Sequence, residues 1–154
     1  MEAEIREEHK WLQRLEGEWT IEGPGPDGSK LTGREKVKMV GGIWAICEGE
    51  GTMPDGTHGI TVMTLGYDPT RGRYVGSWLG SMMDWFWIYD GKLRADGKAL
   101  ELQADGPNFE KPGELSRYKD VIEFITDDHR TLTAYAQQPD GTWTEIMRAD
   151  YRRG

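Results

Sequence analysis

Signals that reverse a polypeptide recur at short intervals along this chain, and they leave little room for anything but hairpins. They stand at Gly23-Pro-Gly-Pro-Asp-Gly28, Pro54-Asp-Gly56, Asp68-Pro-Thr-Arg-Gly72, Asp90-Gly91, Asp96-Gly97, Asp105-Gly-Pro107 and Pro139-Asp-Gly141. Asp-Gly and Pro-Asp-Gly suit tight turns because glycine takes positive φ freely and proline presets the entry angle. The stretches near 18–23, 30–41, 43–51, 60–67, 72–81, 84–91, 98–104, 115–126, 130–138 and 142–152 then read as strands. Before them, Glu2 to Leu15 has no Gly or Pro and sets Ile5, Leu12 and Leu15 near one face, so residues 1–15 read as an N-terminal amphipathic helix ended by Gly17.

About ten antiparallel strands joined by short turns either expose two sheet edges or close on themselves, and closure removes the unpaired backbone groups. The expected fold is therefore all-β, an up-and-down barrel over 17–152 with the helix as a lid, in one domain covering 1–154. A two-sheet sandwich is the alternative, and it needs long crossovers that these turns do not supply.

The segments 72–81 and 84–91 specify most. Pairing Ser81 with Asp84 around Met82-Met83 sets Trp78 opposite Trp87 and Gly76 opposite Tyr89, so that Tyr74, Gly76, Trp78, Gly80, Trp85, Trp87 and Tyr89 share a face. Glycines facing large rings make room for them and let strands coil, which favours this face as the interior. The other face carries Arg73, Val75, Ser77, Leu79, Phe86, Ile88 and Asp90. Alternation adds Met63, Leu65 and Tyr67, then Trp143, Glu145 and Met147, with Tyr118 and Tyr135 between them. A barrel this wide holds more volume than its own side chains fill. Met63, Trp78, Trp87, Tyr118, Tyr135 and Met147 are accordingly the candidate ligand-binding residues for a small hydrophobic or aromatic molecule; simple core filling is the competing use of the same side chains.

The formal charge of −8 and the absence of a broad basic surface argue against nucleic acid or anionic membrane as partners. No apolar run approaches the length of a membrane span. A single cysteine, Cys47, and an N-terminus without an apolar signal core point to a cytoplasmic protein. His9, His58 and His129 share no ligand spacing, so no metal is expected, and no cofactor motif is present. Glu35, Glu48 and Glu145 fall within strands, and a carboxylate inside an aromatic cavity would have a raised pKa. They are the candidates for a rival reading, a small-molecule lyase, isomerase or cyclase; each could equally orient a ligand or pair with Arg117, Lys119 or Arg148. A third reading is a homodimeric interaction domain displaying Phe86 or Trp11.

Gly17-Glu18-Trp19, at the start of the first strand, resembles the Gly-x-Trp element of the calycins, the lipocalin and fatty-acid-binding-protein superfamily. The resemblance implies that Trp19 closes one barrel end against an arginine of the last strand, Arg148 or Arg152. The chain as a whole resembles a bacterial family known only as a domain of unknown function. That likeness is carried by His9-Lys-Trp-Leu12, Gly41-Gly-Ile-Trp44, Glu48-Gly-Glu-Gly51, Met53-Pro-Asp-Gly56, Met63-Thr-Leu-Gly-Tyr-Asp68, Trp78-Leu-Gly-Ser-Met-Met83 and Tyr118-Lys-Asp-Val-Ile-Glu123. It implies a full-length barrel and no established activity. A haem barrel resembling nitrobindin would need a histidine near its end, and none follows His129.

Overall fold

The computed structural model describes residues 1–24 and 28–154; the middle of the turn expected at 23–28 lies outside them. Ten strands follow one helix: α1 (Glu7–Gln13), β1 (Gly17–Pro24), β2 (Lys30–Val40), β3 (Trp44–Thr52), β4 (His58–Asp68), β5 (Arg73–Gly80), β6 (Trp87–Leu93), β7 (Ala99–Pro107), β8 (Leu115–Thr126), β9 (His129–Gln137) and β10 (Trp143–Arg153). Each pairs antiparallel with its sequence neighbour, and β1 pairs with β10, so the barrel is closed and the sandwich alternative falls. Closure leaves no edge strand exposed.

Successive strands run up and down, which sorts the connections onto two ends. Residues 41–43, 69–72, 94–98 and 127–128 turn at one end; 53–57, 81–86, 108–114 and 138–142 turn at the other. The helix plugs the first end. Trp11, Leu12 and Leu15 are buried there, the Trp11 indole donates to the Gly97 carbonyl at 2.8 Å, and the Tyr74 hydroxyl donates to the Glu8 carbonyl at 3.1 Å. Trp11 meets Phe124 and Tyr74 edge-on. The other end stays open.

The helix is shorter than the sequence suggests. It begins after Arg6, whose backbone N–H donates to the His9 Nδ1. Short isolated helices are marginal in water, and only the turns carrying Trp11 and Leu12 have a barrel to pack on. Trp11 is therefore core and no dimer surface, whereas Phe86 is exposed.

Two expected turns lie inside strands: Asp90-Gly91 belongs to β6 and Asp105-Gly-Pro107 to β7. Their glycines are there for packing. A Cβ on Gly106 would sit 2.0 Å from the Trp87 ring, and one on Gly91 would sit 2.7 Å from Leu102. Conversely, the strand expected from 84 starts at Trp87, so the Ser81–Asp84 pairing does not form and Trp85 leaves the ladder, donating its indole N–H to the Asp105 carbonyl at 3.1 Å. The pairs Trp78 with Trp87 and Gly76 with Tyr89 are present as expected.

Trp19 closes the plugged end of the barrel. Two guanidinium groups stand over its ring, Arg153 at 4.2 Å and Arg130 at 4.5 Å, and its indole donates to the Leu15 carbonyl at 2.8 Å. The last-strand arginine is thus Arg153, replacing the expected Arg148 or Arg152. Arg152 pairs with Thr20 on the parity opposite to Trp19, so it points away. Arg153 also donates to the Glu16 and Arg14 carbonyls, tying the helix exit to β10.

Candidate functional site

Inside the barrel the odd-numbered residues of β1 to β4 and of β6 face inward, as do the even-numbered residues of β5 and of β7 to β9. Above the Trp19 floor this leaves a cavity of about 310 Å³ that runs to the open end. Gly33, Gly51 and Gly59 are neighbours across β2, β3 and β4 and form one glycine wall of it. A Cβ on Gly51 would stand 2.2 Å from the Thr32 carbonyl oxygen, so these strands approach too closely for side chains. Met53, Met82, Met83, Phe109 and Met147 ring the mouth.

Two of the aromatic walls have their polar tips engaged in hydrogen bonds. Tyr118 donates its hydroxyl to the Pro107 carbonyl at 2.5 Å, and Trp87 directs its indole N–H to the Met83 sulfur at 3.3 Å. Trp87 meets Tyr118 edge-on, with ring centroids 5.2 Å apart. Rings whose hydrogen-bonding atoms are already partnered present apolar surface to whatever lies beside them.

Of the six residues expected to bind a ligand, Met63, Trp78, Trp87, Tyr118 and Met147 line this cavity and Tyr135 does not. Tyr135 pairs with Lys119 and Glu145 on the outer face, where the Lys119 ammonium stands over the Tyr135 and Trp143 rings. The inward parity of β9 instead carries Arg130, Leu132 and Ala134. An arginine facing inward disguises that parity in the sequence.

The three carboxylate candidates separate as well. Glu48 faces solvent, 3.7 Å from the Lys38 ammonium. Glu145 is exposed because a β-bulge between Glu145 and Met147 breaks the alternation, sending Trp143 and Glu145 outward while Met147 points in. Glu35 is buried and lines the cavity floor, with its carboxylate hydrogen-bonded to Arg130, a partner different from those expected. Arg130 stacks on Tyr151 at 4.2 Å and on Trp19. Paired in this way, Glu35 is a structural ion.

The residue that sequence reasoning passed over is Asp120. It lies on β8 two positions after Tyr118, on the same inward face, and it lines the cavity. The Tyr89 hydroxyl donates to its Oδ2 at 2.5 Å, and its Oδ1 has no hydrogen-bond partner among the described residues. Burial pushes its pKa up to about 6, the Tyr89 hydrogen bond partly opposing the rise. Burial also raises the Tyr89 and Tyr151 phenols and the Cys47 thiol, so all three stay protonated at neutral pH. Among the described residues no group of three His, Cys, Asp or Glu side chains converges as a metal site would require, and no helix is long and apolar enough to cross a membrane.

Solved structures share the architecture at low identity. The S-type phycobiliprotein lyase CPES from Guillardia theta superposes with a TM-score of 0.54 at 14% identity, covering 94% of this chain and 91% of that one. EF1p2_mFAP2b bound to DFHBI gives 0.52 at 12% identity, covering 95% and 98%. A de novo designed fluorescence-activating beta barrel gives 0.51 at 14% identity, covering 93% and 96%. These likenesses concern the fold. No curated protein matches. Residues 4–153 match the model of a family described as protein of unknown function, DUF1579, and the chain belongs to that family.

Proposed function

We propose that this protein binds a small apolar molecule, ring-bearing or flexible, inside the barrel and admits it through the open end. The observation that carries the reading is the cavity itself: about 310 Å³, walled by Trp78, Trp87, Tyr118 and methionines, and plugged at the far end by the helix. Its size falls at the lower end of ordinary ligand pockets, roughly 300–1,000 Å³. The thioethers at the mouth adapt to varied shapes, as they do at permissive binding surfaces. One barrel of like fold is bound to DFHBI and another is a phycobiliprotein lyase, which supports the reading. Titration with the neutral dye Nile red tests it. The dye's fluorescence should rise on the intact protein and not on Ala134→Trp, which fills the cavity from β9; equal signals from both would count against it.

A second reading is favoured by Asp120 alone. A buried acid with a pKa of about 6 is suited to proton transfer, as a small-molecule lyase, isomerase or cyclase would need. Asp120 replaces Glu35, Glu48 and Glu145 in that role. A substrate that Asp120→Asn still binds but no longer converts would establish it. Cytoplasmic residence remains the location that the acidic, one-cysteine composition favours.

A further inference from the structure

We infer that the cavity selects molecules carrying a protonated nitrogen, which Asp120 anchors at depth, and turns away carboxylates. The inference rests on the binding reading above and names the class of ligand. Among the described lining residues the carboxylates that face inward are Glu35 and Asp120, since Glu50 turns its side chain outward, 3.9 Å from His58; the same lining has no lysine, arginine or histidine. Glu35 is neutralised by Arg130 beneath the floor. Among the described residues no cation stands beside Asp120, which lines the cavity, and its one hydrogen bond, from the Tyr89 phenol, leaves the other carboxylate oxygen without a partner.

A carboxylate without a counter-ion among largely apolar walls is stabilised by an incoming N–H⁺, since charge-assisted hydrogen bonds strengthen in surroundings of low polarity. An incoming carboxylate would meet Asp120 at depth and find no basic partner in the described lining. The Tyr89 proton is already committed to Asp120, so it does not serve an anion either. Aromatic walls add to the preference, because ring faces attract cations. The fit is an amine, an amidine or a protonated nitrogen heterocycle on a compact apolar body.

The test compares three probes of one shape, naphthylmethylamine, naphthylmethanol and naphthoate, by calorimetric titration of the full chain at about pH 8, where Asp120 is ionised and the amine is still mostly charged. The amine should bind about tenfold or more tighter than the alcohol, and the carboxylate should bind at least about tenfold more weakly than the alcohol. In Asp120→Asn the amine should fall to the affinity of the alcohol, while the alcohol itself changes little. The comparison of probes on the unaltered protein needs no variant to fold. Binding of the alcohol without the amine preference, or a preference that survives Asp120→Asn, overturns this inference and leaves the cavity reading standing. Failure of all three probes to bind overturns both.

Discussion

Glu35 on β2 and Arg130 on β9, 95 residues apart in the chain, meet in a buried ion pair, Glu35 at the floor of the cavity and Arg130 beneath it. Both charges have left water, and each is tolerated only because of the other. Arg130→Met should therefore strand a buried carboxylate and lose about 3–5 kcal/mol of stability. Replacing both, as Glu35→Met with Arg130→Met, should recover much of that loss, short of the stacking of Arg130 on Trp19 and Tyr151. Urea unfolding of the two variants checks this. A double variant no more stable than the single one would show that the pair is not the cause.

Asp120 makes stability depend on pH in a direction opposite to most salt-bridged acids. Its folded pKa, about 6, lies above the ordinary 3.8, so the folded state holds a proton that the unfolded state has released across that window. Stability from this group is full below the lower value and is lost as pH rises through the higher one. Relative to Asp120→Asn, the natural protein should lose about 2 kcal/mol between pH 4 and pH 7. Chemical denaturation of both proteins across that range measures the difference. A difference that is flat with pH, or that grows in favour of the natural protein as pH rises, would contradict the burial of Asp120.

Trp87 depends on a glycine of the neighbouring strand. Its ring occupies the space a side chain on Gly106 would take, with ring carbons 2.0 and 2.1 Å from the would-be Cβ. Gly106→Ala should push the indole toward Tyr118 and into the cavity, costing about 1–3 kcal/mol by overpacking and weakening Nile red binding. Thermal unfolding and the dye titration measure the two effects. A variant with unchanged stability and unchanged dye affinity would mean that Trp87 is free to move.

The strand count, the closure and the Trp78–Trp87 register were legible because turn residues and alternating aromatics are local signals. Where local signals misled, a tertiary contact had taken over the residue. Asp90-Gly91 and Asp105-Gly-Pro107 look like turns, yet Gly91 and Gly106 are glycines because Leu102 and Trp87 lie against them. Strict alternation carried Trp143 and Glu145 inward with Met147, and a bulge, which has no sequence mark here, separates them. Alternation reads Tyr135 as inward for a related reason: the inward face of β9 includes Arg130, whose partner on β2 is invisible from β9 alone. Asp120 was within reach, two residues beyond Tyr118 on the same face, but an aspartate between Lys119 and Val121 reads as solvent-facing until the barrel is closed around it.

Native mass spectrometry of the freshly purified protein, set against its denatured spectrum and against Ala134→Trp, tests the central claim most directly. A barrel that binds a small molecule should retain a reproducible extra mass of host origin, release it on denaturation, and lose it when the cavity is filled from Ala134. A bare mass in the native spectrum, together with no rise in Nile red fluorescence, would contradict a ligand-binding barrel.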